Sequence, residues 1–392
     1  MAVGTNGKHR TGGTLDPMTT HGSGTPVTSS CWTGPANDGG SGVAALDVVS
    51  SQVTSLLDSF LESRVADLVK LDPELELICG EIAGLVQANG KRLRPAFVYW
   101  GYRATSAEHD ESVLWPAAAV ELLHTFALIH DDVMDRSPMR RGRPAVHESL
   151  AAAHRTEGLL GNSTWFGISG AILAGDLAFV WADQLMDSAD LDRAALDRAR
   201  RVFTDLRVEV MAGQYLDLQL ASFPRASEDD ALRVALLKSG RYTVTRPLQL
   251  GAAIGGSDEL LDAALCAFGD AIGLAFQLRD DVLGLFGDPS VTGKGAKSDL
   301  REGKRTVLMI RALELAGPSE RKVLSRVLGH ADLDERDLSS AQQIIVDCGA
   351  LDSVEQLLAR QHELACRALA PIPDPARQAL HDLADLAAYR LA

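Results

Sequence analysis

The chain has 392 residues, 46% of them hydrophobic, with 38 basic against 53 acidic side chains and a net charge of −15. That much apolar material supports a sizeable core in one large or two modest globular domains. The surplus of acid excludes a broad nucleic-acid footprint resting on phosphate neutralisation, so any phosphorylated ligand must be met by local basic clusters or metal ions.

Residues 1–43 are dominated by Gly, Thr, Ser and Pro. They carry no apolar period that could offset the entropy of ordering, and they read as a disordered tail. The basic region and apolar run of a signal peptide are not found there. The five cysteines, Cys31, Cys79, Cys266, Cys348 and Cys366, are scattered and include no Cys-x-x-Cys pair. Neither a disulfide framework nor a zinc site follows from that spacing, which fits a reducing cytoplasm.

From Ala44 the character changes. Val53, Leu56, Leu57, Phe60, Leu61, Val65 and Leu68 recur at helical spacing, and helix is predicted to follow helix from there, punctuated by Gly and Pro. Alternating β-branched runs are scarce, so no substantial sheet is expected. The prediction is all-α: a single large helical bundle over residues 44–392, packed around a central element.

The first basic cluster, Gly90-Lys91-Arg92-Leu93-Arg94-Pro95, falls between two predicted helices. A strongly apolar run from Val120 to Ile129 then leads into Asp131, Asp132 and Asp135. On a helix, Asp131 and Asp135 stand one turn apart on one face. Carboxylates so close repel unless cations sit between them, and hard oxygen ligands suit magnesium bound jointly to a substrate phosphate. Alone, such a turn reads equally well as a solvated helix end. Its sequel, Arg140-Arg141-Gly-Arg143-Pro144, supplies guanidinium forks that bind phosphate oxygens bidentately, and the combination describes a diphosphate site.

The longest uncharged stretch, Gly158 to Gly175, approaches membrane-spanning length but contains five glycines together with Asn162, Ser163, Thr164 and Ser169. It reads as a loop running into a buried helix, with no membrane insertion. Further on, Lys238 and Ser239 offer another phosphate contact. An apolar helix including Ala271, Ile272, Leu274, Ala275 and Phe276 closes on Gln277, Asp280 and Asp281, followed by Asp288, Lys294, Asp299, Arg301, Lys304 and Arg305. Two acidic helix ends facing each other could hold several magnesium ions around one diphosphate.

Five segments occur in one order: Asn89-Gly-Lys-Arg-Leu-Arg-Pro95, Leu122-Leu-His-Thr-Phe-Ala-Leu-Ile-His-Asp-Asp-Val-Met-Asp135, Arg140-Arg-Gly-Arg-Pro144, Gly213-Gln214 and Gln277-Leu-Arg-Asp-Asp281. Together they resemble the trans-polyprenyl diphosphate synthase family over roughly residues 50–390. The resemblance implies a prenyltransferase that joins isopentenyl diphosphate to an allylic diphosphate, and a homodimer. It implies that Asp131, Asp132, Asp135 and Asp280 hold magnesium, about three ions per site, with Asp132 and Asp281 in supporting parts. Arg140, Lys238, Ser239, Gln277, Lys294 and Lys304 would hold the allylic diphosphate; Lys91, Arg94, His124 and Arg141 would grip that of isopentenyl diphosphate.

Phe126, five places before Asp131, and Leu123, eight before it, lie on adjacent turns of one face. An aromatic residue at the former position resembles the geranylgeranyl diphosphate synthases and implies a twenty-carbon product. The alternatives are a product of another length, farnesyl or longer, a class I terpene cyclase, or a non-catalytic subunit of a heteromeric synthase. Lys91, Arg94 and Arg141 speak against the cyclase, which needs no second diphosphate site. Two departures stand out: Gly284 replaces a third aspartate in the second acidic motif, and Ser239 replaces the usual threonine.

Overall fold

The computed structural model describes residues 40–88, 90–223, 226–287, 298–330 and 332–390, all within one compact unit. Residues 1–39 of the expected tail, Asn89, and the segment holding Asp288 and Lys294 lie outside the described residues. Helix begins slightly earlier than expected, with α1 at Gly40–Leu71. There follow α2 (Glu76–Gln87), α3 (Leu93–Arg103), α4 (Leu114–Met134), α5 (Val146–Thr156), α6 (Ser163–Asp187), α7 (Arg193–Ser222) and α8 (Glu228–Val234). A π-helical segment, Ala235–Thr245, joins α8 to α9 (Arg246–Gly255), and α10 runs Glu259–Phe286. The remainder is α11 (Ser298–Arg301), α12 (Val307–Leu315), α13 (Pro318–Val327), α14 (Glu335–Asp347), α15 (Ala350–Ala368) and α16 (Ala376–Tyr389). Strand is confined, among the described residues, to an antiparallel hairpin of β1 (Met139–Arg140) and β2 (Arg143–Pro144).

Helix starts follow the local chemistry. Asn162, Asp192 and Asp258 accept backbone N–H bonds at the starts of α6, α7 and α10, satisfying donors that the first turn leaves unpaired. Several prolines expected to separate helices sit in first turns instead: Pro95 in α3, Pro116 in α4 and Pro318 in α13. A missing N–H costs nothing there.

Two helices are apolar almost all round, which is the pattern of a buried element. In α4, Ala117, Ala118, Val120, Leu122 and Leu123 are fully buried beneath α1, α3 and α6. In α10, Leu265, Phe268, Ile272, Ala275 and Leu278 are fully buried against the π segment, α15 and α16. Each carries a pair of adjacent aspartates toward its C-terminal end, Asp131 and Asp132 in α4 and Asp280 and Asp281 in α10, so the core that packs their bodies also aims those ends.

The uncharged stretch forms α6, but it is not the buried helix expected. By length and composition α6, like α4, is long and apolar enough to cross a membrane, yet only 39% of its apolar window is buried, against 78% for α4. Its small residues account for this: Gly167, Ala171, Ala174, Gly175, Ala178 and Ala182 face the bundle, letting α6 lie close to α4 and α5. The large side chains Trp165, Phe166, Ile172, Leu173 and Val180 are left outside. Cys79, Cys266, Cys348 and Cys366 are free thiols; Cys31 is outside the described residues.

Candidate active site

The ends of α4 and α10, the loop before α3, the hairpin, the π segment and the loop before α12 surround one cavity of about 550 Å³. It is of the size that holds small ligands. Lys91, Arg94, His124, Asp131, Arg140, Arg141, Lys238, Ser239, Gln277, Asp280, Asp281 and Lys304 all line it. Residues separated by more than two hundred positions are thus brought to one surface, and both acidic helix ends face the same space.

On the α4 side the charges are arranged in layers. Asp131 Oδ1 accepts hydrogen bonds from Gln214 Nε2 at 3.1 Å and Lys238 Nζ at 3.2 Å, while Asp131 Oδ2 faces Arg140 Nη2 at 3.3 Å. Asp132 does not line the cavity. A helix turns about 100° per residue, which swings Asp132 off the face shared by Asp131 and Asp135 and into the protein, where it is 1% exposed. There it binds Arg140 through both carboxylate oxygens, with Nε at 2.9 and 3.0 Å. Asp132 thereby anchors the Arg140 guanidinium. Asp135, also off the lining and almost buried, pairs with Lys304 at 3.1 Å.

The opposite wall is built on α10. Gln277 donates to Asp281 Oδ1 at 2.7 Å, and Asp280 is paired with Arg390, whose guanidinium also lies 3.7 Å from the Phe276 ring centroid. Burial, with Asp299 and Asp280 nearby, raises the Asp281 carboxyl well above the usual range despite the bond from Gln277. Lys304 links the two walls: besides Asp135 it faces Glu302 at 2.5 Å and Asp299 at 3.8 Å. Burial alone would lower its ammonium, but these acids hold it well above the ordinary lysine range. Lys238 is raised in the same way, burial being outweighed by Asp131 and by Asp217, whose Oδ2 is 2.6 Å away.

The third wall is basic. Arg92 is buried, donating to Glu121 Oε1 at 2.7 Å and the Val86 carbonyl at 2.8 Å, and holds the loop in a left-handed backbone conformation at φ 52°. Arg94 donates to Thr243 Oγ1 at 2.8 Å and stacks 4.6 Å from the Tyr242 ring centroid. The hairpin turn places Arg141 and Gly142 at φ 51° and 74°, as in a type I′ turn. It sends Arg140 to the acids of α4, while Arg141 donates to the Leu85 and Ala88 carbonyls at 3.2 and 2.9 Å. His124 Nδ1 lies 3.0 Å from the Tyr242 hydroxyl. Burial, then Arg94, Arg141, Arg140 and Arg92, push its imidazole well below the ordinary histidine value, so it is neutral and adds no further charge to the cluster.

Phe126 and Leu123 are not among the lining residues. Leu123 is fully buried, and Phe126 packs edge-on against Phe179 and His130 with centroids 5.0 and 4.8 Å away. Lys294 is outside the described residues. Sequence reasoning passed over Asp217 and Arg390. Asp217 was legible, because it lies three and four places after Gln214 and Gly213 and so shares their helix face. Arg390 reaches Asp280 across 110 positions, and no local pattern marks it.

The donors at the two acidic ends are carboxylate oxygens, the ligand type that magnesium prefers. Each is balanced by a protein cation: Asp131 by Lys238 and Arg140, Asp135 by Lys304, Asp280 by Arg390. Among the described residues no three His, Cys, Asp or Glu groups converge on one point. The donor set therefore fits cations whose coordination is completed by ligand oxygens between the walls.

Comparison with known proteins agrees with this arrangement. Residues 76–345 match the family model described as polyprenyl synthetase. A geranylfarnesyl diphosphate synthase of Aeropyrum pernix is 33% identical over 299 residues, covering 75% of this chain and 87% of the relative. A geranylgeranyl diphosphate synthase of Methanosarcina mazei is 33% identical over 273 residues, covering 70% and 77%. The crystal structure of geranylgeranyl pyrophosphate synthase from Corynebacterium glutamicum, complexed with isoprenyl diphosphate and magnesium, superposes with a TM-score of 0.83 at 38% identity, covering 88% of this chain and 98% of that one. By motif, fold and kinship alike, this chain belongs to the polyprenyl synthetase family and is a prenyltransferase.

Proposed function

We propose that the enzyme extends an allylic diphosphate with isopentenyl diphosphate as far as the twenty-carbon geranylgeranyl diphosphate. The observation that carries this reading is the meeting of two acidic helix ends and one arginine-rich wall in a single cavity. Asp131, Asp135 and Asp280 would hold magnesium, three ions in the full complex, with Asp132 and Asp281 supporting. When bound, the magnesium would neutralise the charge that grows on the leaving diphosphate as the allylic carbon–oxygen bond breaks.

The chain's own groups do the rest. Arg140, Lys238, Ser239, Gln277, Lys304 and Lys294 orient the allylic diphosphate; Lys91, Arg94, His124 and Arg141 orient that of isopentenyl diphosphate. The bond to the allylic carbon breaks with its electron pair going to the diphosphate, and the double bond of isopentenyl diphosphate supplies the pair for the new carbon–carbon bond. A proton is then lost to the released diphosphate, and no side-chain base is required. The apolar side chains that line the cavity, Leu128, Phe276, Leu283 and Val307 among them, would exclude the water that quenches the cation. Phe126, packed on Phe179 behind the residues that line the cavity, would be the floor that sets product length, with Leu123 one turn before it on the same face. Activity resides in residues 44–392, working as a cytoplasmic homodimer whose contact surface is the exposed apolar face of α6 and α7.

The test is direct. Purified enzyme is supplied with magnesium, isopentenyl diphosphate and dimethylallyl, geranyl or farnesyl diphosphate, and products are separated by chromatography. A twenty-carbon product is expected from each, with no turnover when isopentenyl diphosphate is omitted or magnesium chelated. Phe126→Ala should lengthen the product by at least one unit of five carbons; unchanged lengths would remove Phe126 as the floor.

A further inference from the structure

The second acidic turn reads Asp280-Asp281-Val-Leu-Gly284, and Gly284 offers no carboxylate. Positions 280 and 284 stand one turn apart on one helix face, so a side chain at 284 would project beside Asp280. That space is filled from elsewhere in the chain. A Cβ placed on Gly284 would run into Asp299 Oδ2 and lie 3.3 Å from its Cγ, so a side chain there requires the Asp299 carboxyl to move aside. Asp299 is carried there by α11 and lines the same cavity as Asp280 and Asp281.

Asp299 also acts on Lys304, together with Asp135 and Glu302. Lys304 already has Glu302 at 2.5 Å and Asp135 at 3.1 Å, whereas Asp299 stands off at 3.8 Å. The carboxyl group of Asp299 is held over the α10 helix end, in the room that a glycine leaves.

We propose that Asp299 is the third carboxylate of the second acidic site, standing in for the side chain absent at position 284. It rests on the reading of Asp280 as part of a magnesium–diphosphate site. Gly284 and Asp299 form a matched pair: the one vacates a volume, the other returns an acid to it. The chain thereby keeps three acids at this helix end without three in the motif.

The test reads binding apart from turnover. Calorimetry measures the affinity of the full-length enzyme for inorganic pyrophosphate with and without magnesium, and the factor by which magnesium strengthens it. Asp299→Ala and the near-isosteric Asp299→Asn are each expected to cut that factor about tenfold, within the range found for residues that support metal ligands, and to leave magnesium-free binding unchanged. Gly284→Asp alone, forcing two carboxylates together, should cut it as well. The double variant Gly284→Asp/Asp299→Ala should restore it to within about threefold of the unmodified enzyme, because the motif's own aspartate then has room. The proposal is overturned if both Asp299 variants keep the full factor while Asp280→Ala loses it, or if the double variant does no better than Asp299→Ala. An Asp280→Ala enzyme with the full factor would instead overturn the underlying reading of the site.

Discussion

Arg92 and Arg141 both hold backbone conformations that non-glycine residues rarely adopt. Such a conformation costs about 1–2 kcal/mol for a residue with a Cβ, and here the side chain provides the compensation. Each guanidinium is fastened to carbonyl oxygens on the α2 side, Val86 for Arg92 and Leu85 with Ala88 for Arg141. His362 shows a different single-residue effect, away from the cavity. Its Nε2 is 2.7 Å from Asp385 Oδ1, and that bond, then Cys366, raises the imidazole to about 9 against burial. The folded value exceeds the unfolded one, so the stabilisation is complete below pH 6.5 and disappears as pH rises through about 9. For a half-buried group, solvent screening limits it to about 1 kcal/mol. His362→Gln should therefore lower the melting temperature at pH 6 and have little effect at pH 10, measured by calorimetry. An equal loss at both would mean that the ring acts by packing alone. Asp131 and Arg140 were readable as a pair because they lie nine positions apart; Arg390 and Tyr242 were not, because their partners lie more than a hundred away.

The π segment is the element on which the site most depends. Over Ala235–Thr245 it presents Lys238 and Ser239 to the cavity, and Tyr242 and Thr243 to His124 and Arg94. Nothing in the periodicity distinguished it from ordinary helix, since one extra residue per turn is too small a change in spacing over so short a run. The helix beside it carried a readable sign in Gly213-Gln214. A Cβ on Gly213 would lie 2.6 Å from Lys238 Cα and 2.7 Å from the Leu237 carbonyl carbon, so α7 can approach the π segment only without a side chain there. Gly213→Ala should force the two apart, destabilising the fold by about 1–3 kcal/mol. Displacement of Lys238 should lower kcat on the order of 100-fold. Gly80 is the control: a Cβ there meets nothing within 4 Å, and Gly80→Ala should gain about 0.5–1 kcal/mol in the middle of α2. Thermal melts and steady-state kinetics on both variants check the pair. Equal behaviour would show that the close crossing is not what the glycine serves.

At the scale of the molecule, the all-α bundle was legible because α4 and α10 are apolar over most of their length and carry paired aspartates toward their C-terminal ends, and a core can bury such helices in few ways. What could not be read was which elements stay uncovered. Helix α6 turns its glycines and alanines inward and leaves Trp165 and Leu173 66% and 61% exposed, while α7 exposes Val208, Met211, Tyr215 and Leu218 at spacings of three and four. Those intervals make one continuous apolar face. Covered by the same face of a second copy, it gives the homodimer proposed above. Sedimentation should find twice the chain mass, and Leu173→Asp with Val208→Asp should halve it while helicity is retained. A monomer at micromolar concentration without substitution would refute that arrangement. One smaller device reaches as far. Because Arg140 and Arg141 are neighbours in a single tight hairpin yet reach different walls, the gauge between the anchors proposed for the two substrates would be one peptide unit long. A one-residue insertion tolerated in many surface connections would here throw both anchors out of step at once, which leaves this turn no freedom to drift in length.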